Sequence, residues 1–434
     1  FEEEISNFNK ELFLNRNLNK GNFEDIWNLI IPFISRYLIK ESYYKLNNDR
    51  INEFYSNHKR SNNLINEEDY IELRHIDTGS TFSVELVYHI VDEKLYAIKK
   101  LNYICKENMK LIETEINNYQ KISHPFICNF YGVTKNYNYI VLEFIDGHNL
   151  LTLINENIHI SLKDKLSIIF QLLSVIKCLH DNHLIYRDLK PNNIIIDQNK
   201  TLVLIDFDRM ISEENIQKYK ENKLRQTVDL GSIYSAPEVN SKNLSNKCDI
   251  YPIGKIILDL LKEFFHLKNF KQILSVCIAC TNENPNARPF ISLLINYFYN
   301  FIVKQNIVLE NINPEYQYEF GKIYLEENKI NYAIQCFEYA AKFNHIEALF
   351  SLGMIFYKGK NTTQNFDKAI HYFKLAYYCK NPHASFYLGF LYDEGIHVKQ
   401  DMNKAIKYYT FAAEQNISQA QYNLGLLYLE GKHV

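Results

Sequence analysis

Two carboxylates, a carboxamide and an ammonium group lie close together near the middle of the chain. They sit in Tyr186-Arg187-Asp188-Leu189-Lys190-Pro191-Asn192-Asn193 and, past a short apolar stretch, in Asp206-Phe207-Asp208. Moving a phosphoryl group onto a hydroxyl needs such parts: oxygen ligands for a magnesium ion, a carboxylate to accept the hydroxyl proton, and a cation near the moving phosphate. Asp206-Phe207-Asp208 alone would be an ordinary turn after a strand; its spacing from Asp188 and Asn193 is what points to chemistry. The other candidate, Cys277-x-x-Cys280, has no second Cys or His pair at ligand spacing, so both thiols are expected to be buried on a helix.

The elements around these residues change character along the chain. Residues 1–65 are polar and helix-leaning around one apolar stretch, Ile26 to Leu38, broken by Pro32, and name no function. From about Tyr70 to Tyr96 the pattern is β-type alternation (Val84, Leu86, Tyr88, then Leu95 and Ala97), followed by long helical periods mixed with short strands at Tyr139 to Glu143 and Leu202 to Ile205. Strands first and helices afterwards predict an α+β unit in two parts. A linker, 304–313, leads to an internal repeat. Gly353, Gly389 and Gly425 recur every 36 residues, and Ala340/376/412, Ala348/384/420 and Gly359/395/431 keep that period. Small residues in register let helices pack closely within and between units, as in a solenoid.

In this order the chemical residues resemble the protein kinase superfamily, over about 66–303. Tyr186 to Asn193 looks like the catalytic loop H-R-D-L-K-P-x-N with Tyr in first position, and Asp206-Phe207-Asp208 looks like D-F-G with its Gly replaced. The resemblance implies that Asp188 orients and deprotonates the substrate hydroxyl, Lys190 neutralises the γ-phosphate, and Asn193 and Asp206 hold Mg²⁺ or Mn²⁺. Lys190 within L-K-P-x-N is similar to the Ser/Thr-specific pattern, in a domain of tyrosine-kinase-like flavour. Tyr96-Ala97-Ile98-Lys99 looks like the V-A-I-K strand, which implies that Lys99 contacts the α and β phosphates of ATP. Its ion-pair partner in family register is Glu115, with Glu113 as the alternative. Val84 lies 15 residues before Lys99, so Asp77, Gly79 and Phe82 stand where the phosphate loop has three glycines, and only Gly79 is kept.

Further positions follow from the same resemblance. Leu142-Glu143-Phe144-Ile145 looks like the hinge, whose main chain at Glu143 and Ile145 would bind adenine, with Asn149 reaching the ribose and Val84, Ala97 and Ile195 sandwiching the ring. Tyr119, Phe207 and Tyr186 would form an internal apolar column. Replacing the Gly by Asp208 restricts the backbone where that loop flips, so altered switching is expected more than lost metal binding. Tyr234-Ser235-Ala236-Pro237-Glu238 resembles the end of the activation segment, with Glu238 paired to Arg288 and Asp249 anchoring the catalytic loop. Between Asp206 and Glu238 lie Lys218, Lys220, Lys223, Arg225, Thr227 and Ser232. Arg187 beside Asp188 marks a loop ordered by phosphorylation, with Thr227 the expected site and Ser232 the second choice.

The repeat pattern A-x-x-x-L-G-x-x-Y-x-x-G, with Lys-Ala and a later aromatic-x-x-Ala, resembles the Sel-one-like repeats, relatives of the tetratricopeptide family, over 314–434. The first unit departs from it: 12 residues separate Gly321 from Ala333, against 16 between Gly353 and Ala369. The chain starts at Phe1 and stops in mid-pattern at Val434, so truncation at both ends is expected.

The implied architecture is an α+β bilobal protein kinase fold, small lobe about 66–144 and large lobe about 147–303, followed by an all-α solenoid of helical-hairpin repeats. The implied function is a Ser/Thr protein kinase using ATP and Mg²⁺ on protein hydroxyls, with partner proteins held by the solenoid. The alternative is a pseudokinase scaffold that uses both parts only for binding. A small-molecule kinase is opposed by Ala236-Pro237-Glu238 and the segment before it. Composition agrees with a packed globular chain: of 434 residues, 47% are hydrophobic and 23% charged. A net charge of -3 supplies no basic excess for nucleic acid or an anionic membrane. The eight scattered cysteines suit a reducing, cytoplasmic compartment. The apolar run Phe290 to Val303 is too short to span a bilayer and is expected as an amphipathic helix.

Overall fold

The computed structural model describes residues 63–65, 69–78, 81–103, 106–134, 139–156, 158–216, 232–241 and 244–429. The chain divides into two compact units, the first ending at Asp146 and the second running from Gly147, with His124–Ile127 belonging to the second.

The first unit contains β1 (Asn63–Ile65), β2 (Tyr70–Thr78), β3 (Phe82–His89), β4 (Lys94–Leu101), α1 (Lys106–Lys121), β5 (Phe130–Thr134) and β6 (Tyr139–Glu143). These strands make one sheet in the order β1-β5-β6-β4-β3-β2. β-Branched and aromatic residues fit a half-buried pleated surface, and Val87, Tyr96, Ile98 and Val141 cluster on its core side. β1 corrects the helix-leaning reading of residues 1–65 at its last three positions. Leu64 and Ile65 pair in parallel with Val133 and Thr134, a distant partner that local pattern does not reveal; residues 1–62 lie outside the described residues. On α1, Ile112, Glu115, Ile116 and Tyr119 are buried while Glu113 and Asn117 are exposed, the three- and four-residue spacing of an inward helical face.

The second unit opens with β7 (Gly147–Asn149), α2 (Leu150–Asn155) and α3 (Leu162–Asp181). Ser161 caps α3 by accepting the Asp164 N–H, and an unbroken run from Leu166 to Ile176 is buried, so this helix is the unit's central rod. β8 (Leu184–Ile185), β9 (Ile194–Asp197), β10 (Leu202–Leu204) and β11 (Ile211–Ser212) form a three-stranded sheet, β10-β9-β7, and a β11-β8 ribbon. α4 (Ile250–Leu261), α5 (Lys271–Cys280) and α6 (Ile291–Lys304) follow. Cys277 and Cys280 are fully buried free thiols on α5, and burial pushes the Cys280 thiol up to about 12. α6 is amphipathic, with Leu294, Phe298 and Ile302 buried and Leu293 exposed. No helix among the described residues is long and apolar enough to cross a membrane.

The repeats are antiparallel hairpins: α7 (Pro314–Glu326) with α8 (Ile330–Ala341), α9 (Ile346–Lys358) with α10 (Phe366–Tyr378), α11 (Pro382–Glu394) with α12 (Met402–Glu414), then α13 (Ser418–Leu429). Their recurrent glycines have a steric reason. A Cβ added at Gly321, Gly353 or Gly389 would lie 2.4, 2.4 or 2.6 Å from the ring of Phe337, Phe373 or Tyr409, inside any allowed contact, so the ring of one helix rests on the bare backbone of the other. Gly359 and Gly395 end their helices in the left-handed conformation, φ 64° and 67°, where a Cβ is disfavoured. Gly431 lies outside the described residues. The linker segment, 304–313, is packed: Leu309 and Ile312 are buried, Ser167 Oγ donates to the Glu310 carbonyl and Gln317 Nε2 to that of Leu309.

Candidate active site

In the first unit, β4 carries Ala97 and Lys99, both buried. Lys99 Nζ meets both carboxylate oxygens of Glu115, at 2.8 and 2.7 Å. Both residues are nearly dry, and a buried pair holds only when each charge is met in good geometry; exposed Glu113 is thereby separated from Glu115. Val84 stands opposite Lys99 across the β3–β4 pair. Phe82, at the third glycine position, lies under the ammonium, 4.3 Å from ring centroid to Nζ. Asp77, at the first, turns its carboxylate onto the Thr78 N–H at 2.8 Å, which occupies a loop amide with the protein's own oxygen. Gly79 lies outside the described residues. At the end of β6, Glu143 N–H donates to the Asn129 carbonyl at 2.9 Å and its carboxylate accepts the Asn129 N–H at 3.1 Å; Ile145 follows, half-buried. Tyr119 stacks on Phe130, centroids 5.8 Å apart.

In the second unit, the loop after β8 is shaped by one buried carboxylate. Asp249, at 0% exposure, accepts the N–H groups of Tyr186 at 2.9 Å and Arg187 at 2.8 Å and meets His180 Nε2 at 3.0 Å. Arg187 takes the left-handed conformation, φ 73°. This turn brings three of the expected residues together. Lys190 Nζ lies 2.8 Å from Asp188 Oδ2, and Asn193 Nδ2 donates to the Asp188 carbonyl at 2.9 Å and to Oδ2 at 3.2 Å. With its nitrogen so used, the Asn193 amide presents its oxygen as the donor for a cation.

Asp206 follows β10 at φ 66°, and the Ile205 N–H just before it binds the Asn193 carbonyl at 3.0 Å. Phe207 sets its ring edge-on to Tyr186 at 5.4 Å. Burial, then the charges of Asp206, Asp188 and Asp208, raise the Tyr186 phenol well above its ordinary value. Asp208 is buried, and its Oδ2 lies 3.4 Å from Arg209 Nε. Its φ is negative; the left-handed residue of this triplet is Asp206, so the missing glycine costs no strain in this conformation.

Asn149 and Ile195 stand opposite each other across β7 and β9. Asn149 Oδ1 also caps α2, accepting from Thr152 N–H at 2.8 Å and its hydroxyl at 2.9 Å. That role was readable in Asn-x-x-Thr before an apolar run and is absent from the sequence reading. Arg288 grips Glu238 with two bonds, 2.6 and 2.9 Å. Thr227 and the basic residues from Lys218 to Arg225 lie outside the described residues. Ser232 is half-buried, and its hydroxyl accepts the Tyr234 N–H at 3.3 Å. Among the described residues no three His, Cys, Asp or Glu side chains cluster as a metal cage. Asn193 and Asp206 offer two hard oxygens, a set that suits an ion which takes its remaining ligands from water and phosphate.

Comparison with known proteins finds the same order of domains along the chain. A family model described as protein kinase domain matches residues 70–299, and a model described as Sel1 repeat matches 316–343, 346–381, 382–417 and 418–434. A probable serine/threonine-protein kinase of Dictyostelium discoideum is 30% identical over 52% of this chain and 42% of its own length. The serine/threonine-protein kinase PrkC of Bacillus subtilis is 30% identical over 44% of this chain and 30% of its own length. For a probable serine/threonine-protein kinase, PknB, of Lactococcus lactis the figures are 32%, 45% and 33%. The chain thus spans less than half the length of these relatives. With its kinase model covering more than half of the 434 residues, this chain belongs to the protein kinase domain family and carries Sel1 repeats behind that domain.

Proposed function

We propose that this chain is an ATP-dependent protein kinase acting on Ser and Thr hydroxyls, with the repeats recruiting substrates or partner proteins. The observation that carries the reading is the Asp188–Lys190–Asn193 constellation on a loop shaped by Asp249. Bound Mg-ATP supplies the γ-phosphoryl group. Asp188 orients the acceptor hydroxyl and takes its proton; Lys190, already at the Asp188 carboxylate, offsets charge gathering on the acceptor side. Asn193 and Asp206 hold Mg²⁺. Lys99, steadied by Glu115, serves the α and β phosphates, and Val84, Ala97 and Ile195 give the adenine its apolar faces, with Gly79, Glu143, Ile145 and Asn149 as polar or main-chain contacts. The Ser/Thr preference rests on Lys190 in Leu189-Lys190-Pro191 and on the names of the relatives. A cytoplasmic setting fits the free thiols.

The test is transfer of γ-labelled phosphate from Mg-ATP to a peptide library, followed by phosphoamino-acid analysis. Label on Ser and Thr is expected; label confined to Tyr, or none at all, would refute the assignment.

A further inference from the structure

The packed strap before α7 reaches the turn between β9 and β10 by two separate contacts. Asn311 Nδ2 donates to the Asn199 carbonyl. Ser167 Oγ, buried on α3, donates to the Glu310 carbonyl and accepts Gln171 Nε2 at 3.1 Å. Gln171, one turn further along α3 and fully buried, spans the remaining gap. Its Nε2 also donates to the Lys200 carbonyl at 3.2 Å, and its Oε1 accepts the Leu202 N–H at 2.6 Å. From behind, α7 holds the strap: Gln317 Nε2 donates to the Leu309 carbonyl and the Tyr324 hydroxyl to that of Ile307.

These partners admit one assignment of donors and acceptors. The Leu202 N–H can only donate and the Lys200 carbonyl can only accept, which fixes the oxygen and nitrogen ends of the Gln171 amide. Both Gln171 N–H groups are then engaged, on Ser167 and on Lys200, so the single Ser167 hydroxyl proton goes to Glu310. The turn held in this way belongs to a hairpin with the proposed metal ligands at its other end. β9 and β10 pair from Ile196 with Leu202 to Ile194 with Leu204. Within the turn, Asp197 Oδ1 accepts the Thr201 N–H at 2.7 Å and Lys200 is left-handed at φ 63°. Asn193 directly precedes β9, Asp206 lies two residues beyond β10, and the Ile205 N–H ties the two ends together through the Asn193 carbonyl. Strands of four and three residues keep their place through what packs on them.

We propose that the strap is a clamp on the phosphotransfer site, with Gln171 and Asn311 as positioning residues that set the β9–β10 hairpin and, through it, Asn193 and Asp206. The inference rests on the kinase reading above and deepens it by naming what orients the two metal ligands. Neither Gln171 nor Asn311 touches nucleotide or acceptor; one holds the turn from the core and the other from the strap. A half-satisfied buried network is worse than none. Losing the Ser167 hydroxyl leaves a Gln171 N–H without its acceptor and loosens the bonds Gln171 makes to the turn.

The test uses the full chain and the variants Asn311→Gly and Ser167→Ala. Asn311 has φ 55°, which glycine adopts freely, so that variant removes the side-chain amide and leaves the core intact. Amide hydrogen exchange is followed in 197–202 and at Ile205, with 382–414 as internal control, beside kcat and the Mg²⁺ concentration at half-maximal turnover. Each variant is expected to speed exchange in both places about two- to tenfold, the reach of one lost hydrogen bond. The control should be unchanged, and the Mg²⁺ requirement should rise by more than kcat falls. Faster exchange confined to 197–202, with Ile205 and the Mg²⁺ requirement as in the wild type, would mean that the strap steadies a surface turn and nothing else, and would overturn the proposal. Wild-type exchange throughout would do the same. Exchange is read without turnover, so an inactive wild type whose variants exchange faster at Ile205 would refute the kinase reading and not the clamp. An active enzyme with unchanged exchange at Ile205 would refute the clamp alone.

Discussion

Lys99 and Glu115 are the residue pair whose energetics are most exposed to test, because both are nearly dry. Removing one partner leaves the other charge buried without that counter-charge, so Glu115→Ala is expected to cost about 3–5 kcal/mol, read as a fall in melting temperature, and to abolish turnover. Replacing both residues, Lys99→Met with Glu115→Leu, should recover most of the stability and none of the activity. A double variant as unstable as Glu115→Ala would contradict the pair's description as a desolvated ion pair. Asp208→Gly belongs to the same scale. Asp208 keeps a negative φ, so glycine relieves no strain and adds backbone freedom to the unfolded chain, at a cost of about 0.4–1 kcal/mol; a gain in thermal stability would mean that Asp208 is held against its preference. At this scale the sequence was most readable where a family register exists. Asp188, Lys190 and Asn193 come together, and Glu115 lies inward where Glu113 does not. Less readable were residues whose partner depends on how the chain is folded around them, such as Phe82 lying under Lys99.

Among the elements, the repeat hairpins give the sharpest contrast. At Gly389 an added methyl would lie 2.6 Å from the Tyr409 ring, whereas at Gly425 no described atom comes within 4 Å. Gly389→Ala should therefore cost about 1–3 kcal/mol through overpacking, and Gly425→Ala should be neutral or stabilising by up to about 1 kcal/mol through helix propensity. Thermal unfolding of the two variants checks this; equal effects would remove the close-packing explanation of the repeat period. That period was legible because every unit obeys the same local sterics. β1 was not, since three residues carry little pattern and its register is fixed by β5 far along the chain. The packed strap at Leu309 and Ile312 was missed for a related reason: two isolated apolar residues among polar ones read as a linker until α3 and α7 close over them.

For the molecule as a whole, the second unit is continuous from the catalytic loop into the repeats. Phe170 is enclosed in part by residues of α7, so a chain ending at Lys304 should lose about 3 kcal/mol or more of stability in that unit, by analogy with emptying the surroundings of a buried aromatic. A chain ending at Lys380 should keep it. Similar melting of the kinase portion in both truncations would contradict the fusion of the first repeat with that domain. Asp188 is the proposed catalytic base, and its test is Mg-dependent phosphoryl transfer by the intact chain beside the Asp188→Asn variant. The substitution keeps size and hydrogen bonding but cannot take the hydroxyl proton, so a fall of about 10²- to 10⁴-fold in kcat is predicted. Equal rates from the two proteins, or no transfer from either, would contradict it.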